Sequence, residues 1–344
     1  MHNLLLSFAA ICTVTALVSQ AQPPAPQPEN APQRPKRPGV STPGVKIPIT
    51  SLKPDAVFSV PGVPDWLAID EQVWVSNSPK NTVHRLDPKT NTVTATIEVG
   101  VHPCSGLAAA FGSLWVPNCG DKGAGRNLAR VSLKDLKIEA TLPFEVPDSE
   151  GGLAAGAESV WVMTDKNGTL ARIDPATNKA VAVISVAPGS YAVAFGENAV
   201  WVTSTEKNVL TRVNSRTNVV EETIPVGPRP RFLAVGEGSV WTLNQGDGSV
   251  SRVDVKANKV VATIEAGVPG GGGEIAVGDG SVWVTSFEYP ITRIDASTNK
   301  VVQQFYGDGG DSIRFGLGFV WLSNLRAANI WKIDPKRIVA TLPE

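Results

Sequence analysis

From residue 56 onward, apolar and polar residues alternate in short runs separated by Gly, Pro, Asn and Asp. Alternation of period two marks strands with one face buried. Seven of the runs are centred on tryptophan: Val73-Trp74-Val75, Leu114-Trp115-Val116, Val160-Trp161-Val162, Val200-Trp201-Val202, Val240-Trp241-Thr242, Val282-Trp283-Val284 and Val320-Trp321-Leu322. The tryptophans are spaced by 41, 46, 40, 40, 42 and 38 residues, and Trp66 and Trp331 stand outside this register. One repeat displays the parts: GGLAAG at 151–156, SVWVMT at 159–164, TLARID at 169–174 and KAVAVISV at 179–186. Each repeat therefore predicts four short strands. The Ala- and Gly-rich first strand suits the crowded position nearest an axis, and the tryptophan of the second fills the space between neighbouring repeats. Asp174-Pro175-Ala176-Thr177-Asn178 has the Pro and Asx chemistry of a turn between the third and fourth strands. Related turns recur at 87–91, 214–218, 254–258 and 295–299. A period near 40 with this content predicts an all-β, seven-bladed β-propeller with four antiparallel strands per blade. Closing the ring protects the sheet edges.

An arginine recurs in the third strand at Arg85, Arg130, Arg172, Arg212, Arg252 and Arg293, with Lys332 in the seventh repeat. A residue present in every blade serves the scaffold, and pairing with the nearby Asp87, Asp174, Asp254, Asp295 and Asp334 is its expected role. Two segments can supply the last strand of the ring, AVFSV at 56–60 and IVATLP at 338–343. The pattern leaves open which one closes it.

The chain opens with an apolar run from Leu4 to Val18, shorter than the roughly 20 residues of a membrane-spanning helix. Ser19-Gln20-Ala21 follows, with small residues where signal peptidase reads them, so 1–21 is read as a signal peptide and the mature chain as starting at Gln22. An uncleaved anchor is the alternative, and Ile11 disfavours a lipoprotein cut before Cys12. Residues 22–54 carry ten prolines together with Arg34, Lys36, Arg37, Lys46 and Lys53. They are expected to form an extended, polyproline-like linker, with adhesion to an anionic surface as a sharper alternative. The propeller then occupies 55–344. Lys+Arg number 31 against 32 Asp+Glu, a net charge of -1, which excludes the basic footprint of a nucleic-acid binder. Three His and three Cys leave little for a His-rich metal centre or a dense disulfide scaffold. A periplasmic or secreted monomer, with no transmembrane segment in its mature form, is expected.

The run from about residue 66 to 344 resembles the YVTN family of β-propeller repeats, carried here by SVWVTS at 281–286 followed by ITRIDASTNKVV at 291–302. It is also similar to the virginiamycin B lyase group of seven-bladed propellers, which shares the period and the tryptophan strand. The lyase resemblance implies opening of a cyclic depsipeptide by elimination, with His and Glu at the propeller centre and a magnesium ion. Outside the leader this chain has only His84 and His102, and His84 belongs to a third strand, NTVHRLD, away from the axis. The same propeller hosts lyases, lactonases, surface proteins and scaffolds, so function is argued from the site.

Residues common to all blades are scaffold, so functional side chains are sought where blades differ. On the loops from a fourth strand to the next first strand these are Asp65, His102, Cys104, Asp148, Glu150, Tyr191, Arg229, Arg231, Glu274, Asp308, Asp311 and Arg314. On the loops from second to third strands they are Asp121, Asp165, Gln245, Asp247, Glu288, Tyr289 and Arg326. Arg314 lies seven residues before its tryptophan, where the other blades have Leu67, Ala108, Ala154, Ala194, Ala234 and Ala276. It is expected on an innermost strand at the channel, paired with Glu274. Alternatively, Arg314, Arg229 and Arg231 form a clamp for a carboxylate or phosphate, which guanidinium binds in bidentate fashion; Tyr191 and Asp311 complete the candidate ligand-binding set. His102 with Glu150 or Glu274 is the candidate general acid/base pair. Glu150, Glu274, Asp308 and Asp311 offer oxygen ligands for a hard cation such as Mg or Ca.

In the second blade the separation from Trp115 to Arg130 is 15 residues, and the extra loop is 119–125. The hairpin register that sets residue 110 opposite 113 also sets Cys104 opposite Cys119. In an exported protein this predicts a disulfide, worth about 3 kcal/mol for a loop of roughly 15 residues. Two functions fit. One is an exported ligand- or partner-binding module that engages a small molecule or a cell-surface protein through its variable loop face. The other is a virginiamycin B lyase-like, metal-dependent lyase or lactone hydrolase with its site in the central channel. A quinone-cofactor dehydrogenase finds no distinctive support.

Overall fold

The structure, a computed structural model, describes residues 37–147 and 150–341. The leader, Cys12, the prolines before Arg37, Asp148 and residues 342–344 lie outside the described residues. Seven antiparallel sheets follow one another around a ring, over 64–98, 108–142, 153–185, 190–225, 230–265, 274–306, and 313–333 joined by Ala56–Ser59. The chain is an all-β seven-bladed propeller. Within a blade, burial is greatest at the second strand and least at the rim. Second strands such as Ser281–Ser286 are buried along their whole length, while outer strands such as Lys179–Ser185 are mostly exposed. The apolar core lies between blades: Ala154, Trp161, Met163 and Leu170 of the third pack against Val193, Val200 and Val202 of the fourth.

All seven repeat tryptophans are at most 1% exposed. A buried indole needs an acceptor for its N–H. Trp161, Trp201, Trp241, Trp283 and Trp321 find it in the carbonyl of Gly156, Gly196, Gly236, Gly278 and Gly316, each five residues upstream, and Trp74 finds it in Asp70 Oδ1. The repeated arginine sits directly across the ladder from the tryptophan, as Arg172 does from Trp161. Its guanidinium lies 4.8 Å from the Trp241 ring centre in the fifth blade and 5.9 Å from that of Trp283 in the sixth. It then crosses to the next blade. Arg130, Arg172, Arg212 and Arg252 donate to the side-chain oxygens of Asn178, Asn218, Asn258 and Asn299 at 3.0, 3.0, 2.8 and 2.9 Å. Lys332 reaches Asn91 at 3.2 Å.

This corrects the expected pairing of arginine with aspartate. Each turn aspartate is occupied by its own loop. Asp174 Oδ1 accepts the Ala176 N–H at 2.8 Å, and Asp254 Oδ1 accepts those of Lys256 and Ala257. Such bonds favour the charged form and hold the Asp87, Asp174 and Asp254 carboxyls below the usual range. The asparagine ending each turn is in the left-handed region, with φ 59° at Asn178, 61° at Asn218 and 51° at Asn258, which Asn tolerates better than most residues. The turn thus presents a fixed amide oxygen to the arginine of the preceding blade.

Ala56–Ser59 pairs antiparallel with Asn329–Ile333, so the amino-terminal segment closes the ring. Phe58, 2% exposed, packs 5.8 Å from the Trp321 ring. The competing carboxyl-terminal segment begins inside a helix, Pro335–Val339, which Asp334 caps by accepting the Lys336 N–H. Its Ile338 is buried beside Trp283 and Phe305.

The expectation of an extended tether up to residue 54 fails from Arg37 onward. Lys46–Pro48 pairs in parallel with Gln304–Tyr306 as a fifth strand on the sixth blade. Ile49 and Leu52 are 6% and 4% exposed in the adjoining core. An edge strand bonds on one side only, so prolines can be placed where no donor is required. Among the described residues no helix is long and apolar enough to cross a membrane.

Candidate functional site

Counted back from each tryptophan, the ninth position reads Asp65, Gly106, Gly152, Ala192, Phe232, Glu274, Ser312 around the ring. The tenth reads Pro64, Ser105, Gly151, Tyr191, Arg231, Gly273, Asp311. These positions begin or precede the inner strands, and several of them meet at one mouth of the central channel. There Asp65, Trp66, Glu150, Gly273, Glu274, Asp311 and Ser312 line a cavity of about 50 Å³. The channel itself, about 450 Å³, is lined mainly by small and apolar inner-strand residues. Opposite the tryptophan, six inner strands carry alanine and the seventh carries Arg314. In the first blade that alanine is Ala68 rather than Leu67, because its hairpin holds one residue fewer between the inner strand and Trp74.

Two ion pairs neutralise the arginines of this mouth. Arg314 Nη1 pairs with Glu274 Oε1, and the second Glu274 oxygen accepts the Ser312 hydroxyl and the Ile313 N–H, the latter at 3.1 Å. Glu274 is 3% exposed, so its charge depends on these three donors. Arg231 Nη2 pairs with Glu150 Oε1 at 2.5 Å and donates to the Tyr191 hydroxyl at 2.7 Å, with the guanidinium over the Tyr191 ring at 4.6 Å. Its Nε is buried and has no hydrogen-bond partner among the described residues.

Asp65 and Asp311, from the first and seventh blades, are hydrogen-bonded side chain to side chain. Two carboxyls can share such a bond only if one carries the proton. Burial, followed by the adjacent Asp311 charge, pushes Asp65 well above the usual carboxylate range. Burial, with Glu274 adding to it, raises Asp311 to about 6, while the hydrogen bond from Asp65, the Gly273 N–H and Arg326 pull the other way. The pair is a proton-sharing dyad whose titration belongs to both members.

The other sequence candidates lie elsewhere or act through their backbones. His102 is exposed on the second-blade loop with φ 61°, its N–H held by Asn81, and it does not line the mouth. Arg229 is exposed, and its contacts are a backbone N–H to Asn208 and a carbonyl to Gln245. Asp308 lines a separate surface groove with Tyr306 and Lys46. His84 is buried in its third strand, where Thr96 meets its Nδ1 at 3.0 Å. Cys104 and Cys119 form the disulfide read from the hairpin register, with Cα atoms 5.9 Å apart. The Asp65–Asp311 contact is the feature that sequence reasoning missed. Both residues were candidates, and the ninth- and tenth-position rings, wrapped from the last blade to the first, are the signal that joins them.

Three solved structures are similar to this chain. A streptogramin B lyase aligns with TM-score 0.66 and 19% identity, over 80% of this chain and 95% of that one. The virginiamycin B lyase of Staphylococcus aureus aligns with TM-score 0.64 and 17% identity, over 80% and 97%. A catalytically inactive variant of that enzyme with quinupristin aligns with TM-score 0.66 and 16% identity, over 78% and 94%. The fold is that of the virginiamycin B lyases. No family model matches the chain, and neither does any curated protein.

The virginiamycin B lyase-like fold raises the question of a magnesium site. Among the described residues no three His, Cys, Asp or Glu side chains converge to hold a metal. Both Glu274 oxygens are taken by donors, Glu150 is paired with Arg231, and the dyad shares a hydrogen bond. These carboxyls, as arranged, do not fit a magnesium site.

Proposed function

We propose that the chain is an exported ligand-binding propeller whose site is the channel mouth formed by Asp65, Trp66, Glu150, Tyr191, Arg231, Glu274 and Asp311. The observation that carries this reading is the gathering of repeat-breaking polar side chains at one end of the central channel. Concave sites with a few convergent polar groups and perturbed carboxyls are the usual places for small ligands. The Arg231 Nε–H, buried without an acceptor, is suited to a carbonyl or carboxylate oxygen. The proton held by the dyad lowers the repulsion such an oxygen would meet. The ligand class is a small molecule that places an oxygen at Arg231 and extends into the channel. Export is supported by the leader sequence and the Cys104–Cys119 disulfide.

Calorimetry of the full chain with a panel of N-acyl peptides, lactones and the depsipeptide quinupristin tests this. At least one member should bind, and Arg231→Gln should weaken it tenfold or more. Phe111→Ala, at a hairpin turn of the second blade, should not. A silent panel, or binding indifferent to Arg231, would overturn the reading.

A second reading, lyase-type chemistry, is favoured by the shared fold and by a dyad able to donate and accept a proton. Elimination conserves the mass of a cyclic depsipeptide and hydrolysis adds one water. Chromatography with fragment-ion analysis of quinupristin after incubation therefore distinguishes elimination, hydrolysis and inert binding.

A further inference from the structure

The loop feeding Glu274 reads Val268-Pro269-Gly270-Gly271-Gly272-Gly273. Four consecutive glycines carry the highest backbone entropy a chain can have, yet Gly273 must present its N–H to Asp311 and deliver Glu274 to Arg314. Something outside the loop has to hold it. Gln245 supplies part of the restraint, its Nε2 donating to the Gly272 carbonyl at 2.9 Å and its carbonyl accepting the Gly270 N–H at 2.8 Å.

The larger restraint comes from the segment preceding the ring. The Arg37 side chain is 5% exposed and spends its guanidinium on loop carbonyls. Nε donates to Pro269 at 2.9 Å, Nη1 to Phe287 at 3.2 Å and Nη2 to Gly271. Glu288, 3.7 Å away and largely exposed, adds a rim charge. Two residues on, the Gly39 N–H donates to the Gly267 carbonyl at 3.0 Å. The backbones meet so closely that a Cβ on Gly267, which has φ 66°, would lie 2.4 Å from the Gly39 oxygen. Val40 N–H binds Gln304 Oε1 at 2.7 Å, and the edge strand Lys46–Pro48 follows.

We propose that residues 37–52 are a strap that fixes the glycine loop and through it the carboxyls of the channel mouth, with Arg37 as the positioning residue. The strap enters the fold at the site and leaves it at the ring-closing strand. Occupancy of the strap therefore governs whether the mouth is formed. This rests on the proposed site for its consequence in binding, but its structural content can be tested without a ligand.

Hydrogen exchange of the full chain provides that test. In the wild type the Gly270 and Gly273 amides should be protected despite the glycine run. In Arg37→Ala their exchange should rise tenfold or more while amides of the third and fourth blades keep their protection. Arg37→Lys should restore part of it, and Glu288→Gln should leave it unchanged. Carboxyl NMR supplies a second readout that a general loss of stability would not move. The dyad faces Glu150, Glu274 and Arg326 as well as the Gly273 N–H. Losing that N–H removes a donor to the charged form, so the Asp311 midpoint should move upward in Arg37→Ala. Unprotected glycine amides in the wild type would overturn the proposal, as would an Arg37→Ala variant with unchanged loop exchange and an unchanged midpoint. If loop and midpoint respond while no panel compound binds, the strap stands and the ligand reading falls.

Discussion

At the scale of single residues, the channel mouth works against the stability of the fold. Asp65 and Asp311 both bind a proton more tightly in the folded chain than in the unfolded one. Between about pH 4 and pH 6 the native state therefore holds more protons, and stability falls as pH rises through that window. Asp65→Asn keeps a donor to Asp311 and removes the proton uptake that burial of Asp65 imposes on folding. It should raise Tm by roughly 1–2 °C above pH 7 for each kcal/mol recovered, and the gain should vanish below pH 4. Calorimetric scans across pH check this; a lower Tm at pH 7.5 would contradict it. Sequence reasoning reached these two residues as loop candidates, but their contact joins the first and last blades, and local pattern carries no information about such a pair. Arg314 was legible because it breaks a ring position that is otherwise small and apolar, and Glu274 because it opens the inner strand of the adjacent blade.

At the scale of the strand and turn, the repeated arginine is a clip between blades. It stacks on its own tryptophan and bonds the next blade's turn asparagine, and the second link was hidden because that partner lies more than 40 residues away. The nearby aspartates drew attention by proximity in sequence, while their oxygens serve their own turns. A double-mutant cycle with Arg172→Ala and Asn218→Ala should give a coupling of about 1 kcal/mol. Additive losses in urea unfolding would show that the two side chains act independently. The strap escaped sequence reading for a related reason. Ten prolines in 22–54 argued against any ladder, but a three-residue parallel edge strand between Pro43 and Leu52 needs few donors.

At the scale of the whole molecule, the period, the blade number and the inner-to-outer order of strands were all readable from tryptophan spacing, because each blade repeats the same burial demand. Closure was not, since two segments had equivalent strand patterns. The choice is made by Phe58, which packs on Trp321, and by the Asp334-Pro335 helix start that turns the carboxyl end away from the ladder. Phe58→Ala should cost about 3–5 kcal/mol, against under about 0.5 kcal/mol for Val57→Ala on the exposed face of the same strand. Equal effects in denaturant unfolding would argue that this strand does not seal the ring.

The proposed site would hold a small molecule at the polar mouth of the closed ring. Native mass spectrometry of the full chain, purified without chelator from the cells that make it, addresses this most directly. A retained small-molecule mass is expected on the wild type and should be lost in Arg231→Gln. A bare polypeptide mass for both proteins, together with a silent calorimetric panel, would contradict it and leave the propeller as a scaffold for a protein partner.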